Sequence, residues 1–369
     1  MKKIIFVIVI LLFLCMTGCG QASTDITETD SFLAQTRVKE ELAPKIAEKG
    51  TVVILATGGT IAGSGDSGKE TGYTSGTLSV DELLSAVPQI EDVANIETIQ
   101  ICNINSDDMT DQIWIKLANT INELAENPNV SGFVITHGTD TLEETAYFLN
   151  LTVKTEKPVV LTGSMRPATA ISADGAMNLY QAVCTAASDD SRGRGVLAVF
   201  SDRIFSARAV EKVSTYHVMA ISADETGCIG MVRNQDVYYY EMPEKRHTIN
   251  SEFSVTGLEK LPKVSIVYFA VDADPGILTY AAEHSDGIVI AGAGAGEFSE
   301  KYMEIIRDLT IPVIISSRID DGIITQDAVL CENTIAANNL SPQKAAILLR
   351  LALTQKADRD TLLRLFDEY

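Results

Sequence analysis

Val52-Val53-Ile54-Leu55-Ala56 is an unbroken apolar run that ends in Thr57-Gly58-Gly59-Thr60-Ile61-Ala62-Gly63. Further along, Gly132-Phe133-Val134-Ile135 ends in Thr136-His137-Gly138-Thr139-Asp140-Thr141-Leu142-Glu143-Glu144. Each reads as a buried strand closing in a small-residue loop. Open parallel sheets bind ligands outside the carboxyl ends of their strands. Two such loops bring together hydroxyls, backbone N–H groups and one carboxylate. Those are the parts of a threonine-nucleophile site with an oxyanion pocket.

Outward from these runs, strands and helices alternate. Gln112 to Ala125 carries Ile113, Leu117, Ile121 and Leu124 at helical spacing. Pro158-Val159-Val160-Leu161 and Gly195 to Phe200 read as strands, and Asp174 to Ala187 as a helix. A second series follows Lys260-Leu261-Pro262, with strands at Val264–Phe269, Gly287–Ala291 and Pro312–Ile315. Ser341 is read as the N-cap and Pro342 as the first residue of a later helix. The expected fold is α/β with two βα domains: a larger N-terminal doubly wound parallel sheet and a smaller C-terminal parallel α/β domain. The polar, tyrosine-rich stretch Gln235 to Leu258 marks the boundary. The expected organisation is a signal peptide at 1–19, a tether at 20–49 with a helical signal over Arg37 to Ala47, domains at 50–240 and 262–369, and a linker at 241–261.

Length and composition agree with this reading. The 369 residues are 46% hydrophobic with 25 glycines and 10 prolines, a globular rather than a disordered balance. The net charge of −21 argues against nucleic acid, which needs clustered Lys and Arg. Met1-Lys2-Lys3 followed by the apolar run Ile4 to Met16 reads as a signal peptide, too short to span a membrane comfortably. Thr17-Gly18-Cys19 resembles a bacterial lipobox, with Met16 where Leu is usual. Cys19 is therefore read as a lipidated mature N-terminus; ordinary cleavage nearby is the alternative. Cys102, Cys184, Cys228 and Cys331 are widely spaced and read as buried free thiols. Neither they nor His137, His217, His247 and His284 have ligand-like spacing, so no metal or cofactor is expected.

Three motifs are set aside. Gly292-Ala293-Gly294-Ala295-Gly296 lacks the third glycine of a dinucleotide fingerprint, where Glu297 stands, and reads as a tight strand–helix turn. The Thr60 loop has no Gly-Lys-Ser/Thr ending. Ser341-x-x-Lys344 looks like a Ser/Lys nucleophile pair, but capping of a helix accounts for it.

What remains is Thr60, turned sharply after two glycines with its hydroxyl exposed, and Thr139-Asp140 in the second loop. Lys212 is a candidate proton acceptor that the sequence alone does not place. Ile54 to Ala62 and Gly132 to Leu142 resemble the two signature motifs of bacterial L-asparaginases, most closely the periplasmic type II enzymes. The resemblance runs from about Thr51 to Tyr369 and includes Glu143–Leu149, Met165-Arg166-Pro167, Ser172–Gly175, Asn178-Leu179-Tyr180 and Leu351–Gln355.

The resemblance implies that Thr60 attacks the side-chain amide carbon of asparagine, giving an acyl-enzyme and ammonia, and that water then releases aspartate. Tyr73 would close over the substrate, and Thr139, Asp140 and Lys212 would support the nucleophile. Gly59 and Ser106 would contact substrate, Ser106 at its α-carboxylate and Asp140 at its α-amino group. It also implies a homotetramer with active sites between subunits. Three positions depart from the family: Asp107 for Gln, Asp272 for Asn, and Val329 for the partner-subunit acid after Gln326-Asp327-Ala328. Asp107 and Asp272, or else Glu332, are the candidates for the missing negative charge. The competing functions are a glutaminase-asparaginase of broad amide preference and a lipid-tethered amino-acid-binding protein.

Overall fold

Strand β1 (Thr51–Gly58) is buried almost throughout, as a strand covered on both faces must be. Its side chains alternate between two cores: Val53 and Leu55 in one, Val52 and Ile54 in the other. The computed structural model describes residues 49–65, 74, 76–223, 226–328 and 333–369. The expected signal peptide, Cys19, the tether up to residue 48, Tyr73, Val329, Cys331 and Glu332 lie outside them.

Parallel pairing joins β1 to β2 (Asn95–Ile104) on one side and to β3 (Val130–Thr136) on the other. It continues through β4 (Val159–Thr162) to β5 (Val196–Phe200). Helices α3 (Asp111–Ala125) and α4 (Leu142–Thr152) contribute to the core of Val53 and Leu55, and α5 (Gly175–Ala187) to that of Val52 and Ile54. The short helices α1 (Val80–Ser85) and α2 (Ile90–Val93) join the latter. This covering of both faces is the expected double winding.

The sheet is not parallel to its end. Three antiparallel strands extend it: β6 (Arg203–Ser206), β9 (Gly230–Arg233) and β10 (Asp236–Tyr239). They are four residues each, and β10 lies inside the stretch expected to be a polar boundary. Its alternation of exposed and half-buried residues leaves only a weak apolar signal.

A second, wholly parallel sheet has the order β11 (Val264–Tyr268), β12 (Gly287–Gly292), β13 (Val313–Ser317) and β14 (Thr334–Ala336). Helices α6 (Gly276–His284) and α7 (Glu300–Asp308) cover one face. Helix α8 (Pro342–Thr354) packs on β11, β12 and α4 alike, tying this sheet to the first. The Gly292–Gly296 loop is the expected tight turn, with Ala293 and Glu297 exchanging backbone hydrogen bonds. Of the described cysteines, Cys184 is buried and Cys102 and Cys228 are half-buried, less enclosed than expected; all three are free.

Candidate active site

The carboxyl ends of β1, β2 and β3 converge. After β1 the chain passes through Gly58 (φ 106°) and Gly59 (φ 83°) into a single 3-10 turn, Thr60–Ala62. Any side chain at Gly59 would place its Cβ 2.3 Å from the backbone nitrogen of Gly138. Glycine is therefore required twice over, for its backbone angle and for the close approach of the two loops. Gly138 in turn sits against Ser106, whose Oγ would be 2.7 Å from an added Cβ. Ser106 opens the 3-10 turn Ser106–Asp108 after β2, and its carbonyl accepts from Thr141 Oγ1 at 2.6 Å.

The resulting cleft holds about 600 Å³ and is lined by Gly59, Thr60, Ser106, Asp107, Gly138 and Asp140, among others. Thr60 is only 8% exposed and lines this cleft, more enclosed than an open turn would leave it.

Lys212 reaches this cleft from far along the chain. It ends β7 (Glu211–Lys212), a two-residue strand paired with β8 (Ile221–Ser222). Its Nζ donates to Thr139 Oγ1 at 2.9 Å and to Asp140 Oδ1 at 2.6 Å. One nitrogen thus joins a hydroxyl and a carboxylate of the second loop. The Lys212 side chain is mostly enclosed, whereas Asp140 is open to solvent.

Behind the loop, His137 is fully buried and hydrogen-bonded at both ring nitrogens. A carbonyl only accepts, so Nδ1 carries the proton and donates to the Gly138 oxygen at 2.7 Å. Nε2 then accepts from Thr145 Oγ1 at 2.9 Å, and Trp114 Nε1 donates to that same hydroxyl at 2.8 Å. Burial pushes the His137 pKa down to about 4, so the ring is neutral near pH 7. His137 is thus a structural support of the Thr139 loop. His247 is also buried, whereas His217 and His284 are exposed.

Thr60, Ser106, Asp107 and Asp140 line one cleft, and Gly59, Thr139 and Lys212 join them. Asp272 does not line it. It is exposed, with φ 58°, on the loop after β11 in the other sheet. Among the described residues, no group of three or more His, Cys, Asp or Glu is arranged to hold a metal ion. Sequence reasoning missed Glu143 as part of the site. Its carboxylate accepts the Lys212 backbone N–H at 2.8 Å. The available signal was two acids opening a helix whose other residues are almost all buried.

The chain matches the family model "Asparaginase, N-terminal" over residues 51–245 and "Glutaminase/Asparaginase C-terminal domain" over 263–366. It is 45% identical over 330 residues to "Probable L-asparaginase periplasmic" of Haemophilus influenzae, covering 88% of this chain and 94% of that one. It is 41% identical over 332 residues to "Glutaminase-asparaginase" of Acinetobacter glutaminasificans, covering 87% of this chain and all of that one. Among solved structures, a probable cytoplasmic L-asparaginase from Campylobacter jejuni is 44% identical, with a TM-score of 0.83 over 87% of this chain and all of that one.

Proposed function

We propose, from the premise that this chain belongs to the asparaginase family, that it hydrolyses the side-chain amide of L-asparagine to L-aspartate and ammonia. The observation that carries this reading is Lys212 Nζ, bonded at once to Thr139 and Asp140 beside the cleft that Thr60 lines. A threonine hydroxyl needs such a group to receive its proton.

In the proposed reaction Thr60 Oγ bonds to the amide carbon and its proton passes by way of Thr139 to Lys212, which takes it as the free amine. The carbonyl π electrons move to oxygen, and backbone N–H groups of the two loops are suited to hold that charge. The C–N bond then breaks, its electron pair leaving with the nitrogen, which takes the proton back from Lys212 and departs as ammonia. Water adds to the ester and the C–Oγ bond breaks, giving aspartate, while a proton of that water passes to Thr60 Oγ. Ser106 is assigned to the substrate α-carboxylate. Asp140, with Oδ1 on Lys212, keeps Oδ2 for the α-ammonium. Tyr73, outside the described residues, is assigned to the lid over this cleft.

Glutamine is the second reading, favoured by the glutaminase-asparaginase relative and by the departures at Asp107, Asp272 and Val329. Ammonia release from asparagine and from glutamine, measured side by side, separates the two. Release from neither amide would leave a binding protein.

Asp107 lines the cleft beside Asp140, so it is the stronger candidate for the missing charge near the substrate ammonium. Asp107→Asn is expected to raise KM for asparagine more than it lowers kcat. A desolvated charge pair is worth on the order of 2–5 kcal/mol when one partner is truncated. Asp107 is exposed, so the effect falls below that lower bound, a rise of a few-fold to about tenfold. An unchanged KM would pass the role to Asp272 or Glu332.

Asp272 lies near exposed Tyr268 and Val271, with Ile266, Ile277 and Tyr280 also exposed on the β11 edge and α6. Apolar exposure of this extent suits a face covered by a second copy. We assign it to the contact within a homotetramer, where Asp272 would face a neighbour's cleft. Residues 50–240 and 262–369 are proposed as the two domains, joined by 241–261.

Cys19 is proposed as a lipidated mature N-terminus, making the protein extracytoplasmic and membrane-anchored. Among the described residues no helix is long and apolar enough to cross a membrane. Cys19→Ala is expected to move the protein from the membrane to the soluble fraction, because stable anchoring takes more than one acyl chain and that residue would carry them. An unchanged membrane fraction would refute the anchor.

A further inference from the structure

Lys212 stands on a strand too short to fix it. A two-residue ribbon such as β7 with β8 has little stability of its own, so its position must be set by what surrounds it. Three consecutive residues of this segment are gripped from outside. The Val210 carbonyl accepts from Lys344 Nζ at 2.6 Å. The Glu211 carboxylate pairs with the same ammonium at 3.7 Å. The Lys212 backbone N–H donates to Glu143 Oε2 at 2.8 Å, and the other oxygen of Glu143 accepts from Gln343 Nε2.

Both Gln343 and Lys344 come from the first turn of α8, in the segment Ser341-Pro342-Gln343-Lys344. The capping expected of Ser341 does not account for this segment. Ser341 occupies the N-cap position, but its hydroxyl makes no cap bond and has no hydrogen-bond partner. Lys344 is 1% exposed and holds the Val210 carbonyl and the Glu211 carboxylate. An ammonium is expensive to bury, and an apolar residue of similar length would stabilise the helix contact at least as well. A buried Lys here therefore specifies position rather than stability. Burial pulls the Lys344 pKa down, while Glu143 and Glu211 oppose that shift.

We propose that Gln343 and Lys344, acting through Glu143 and Glu211, are positioning residues for Lys212, so that α8 sets the catalytic geometry of the first sheet from the other half of the chain. The inference rests on the role given to Lys212 under the proposed function. Neither Gln343 nor Lys344 lines the cleft, so substrate binding should not sense them directly.

The test exchanges an amide for a carboxylate across one hydrogen bond in the full chain. In Glu143→Gln, the new amide oxygen keeps the Lys212 N–H, but its NH₂ faces the NH₂ of Gln343. In Gln343→Glu, two carboxylates meet. The double variant Glu143→Gln/Gln343→Glu restores a donor opposite an acceptor. Each single variant is expected to lower kcat by about tenfold with KM for asparagine within about twofold, as coupled neighbours do. The double variant should regain kcat to within about threefold of wild type.

Single variants that lose melting temperature but keep kcat per folded enzyme would overturn the inference. So would a folded double variant that fails to recover. If Glu143→Gln does not fold, Gln343→Ala at a half-buried helix position keeps the test open, with the same kcat-only loss expected. Lys212→Met assayed in parallel separates the two failures. An inactive Lys212→Met beside unaffected Gln343 variants sinks this inference alone, whereas an active one sinks the role of Lys212 and the inference with it.

Discussion

Thr60→Ala is expected to abolish amide hydrolysis in a protein that still folds and still binds asparagine. The residue lies in a single 3-10 turn whose shape is imposed by Gly58, Gly59 and the packing of Gly59 on Gly138, none of which needs the Thr60 hydroxyl. Alanine fits the same backbone. The lost oxygen is the atom that forms the covalent bond, so the loss falls on kcat, by on the order of 10⁴-fold or more. Ser106 and Asp140 remain in place, so asparagine binding by calorimetry should persist. Ammonia release near the wild-type rate from a folded Thr60→Ala protein would remove Thr60 from the mechanism.

Lys212→Met should come close to that effect. Methionine keeps the stem and loses the nitrogen that joins Thr139 Oγ1 to Asp140 Oδ1. Removing a positioned proton acceptor typically costs 10²–10⁴-fold in rate, and a fall of about 10³-fold is expected here. The effect on stability should be small. The Asp140 side chain is 69% exposed, and ion pairs open to water contribute about 0–1 kcal/mol. A melting temperature near that of wild type with a large fall in kcat is the expected pair of results. A fall in kcat of only a few-fold would make Lys212 a structural tie between the loops.

The parts of this protein that were legible in the sequence are those written in short range. β1 and β3 announce themselves because strands buried on both faces are continuous apolar runs, and both glycine-rich loops follow directly. The helix at 111–125 follows from helical spacing alone, and that at 175–187 was also read as a helix. The antiparallel flank was hidden because β6, β9 and β10 are only four residues long and partly exposed. The meeting of Lys212 with Asp140 joins positions 72 residues apart, and no local pattern encodes it. The segment Ser341–Lys344 was legible in position, with Ser341 at the N-cap and Pro342 after it, but not in its long-range partners. A Ser-Pro at a helix start has a sufficient local explanation, whereas the partners of Gln343 and Lys344 are Glu143 on α4 and Val210 just before β7, both more than 130 residues away in sequence. Asp272 shows the opposite limit, since family correspondence assigns it to the site and a single copy leaves it exposed on the other sheet.

The central claim is that the amide is cleaved through an ester on Thr60, not by direct attack of water. Hydroxylamine added during asparagine turnover tests it most directly, because an acyl-enzyme divides between two acceptors after ammonia has left. The expected result is aspartyl hydroxamate forming at the expense of aspartate while ammonia release continues, with both products absent in Thr60→Ala. Ammonia release with aspartate as the sole acyl product at every hydroxylamine concentration would contradict it.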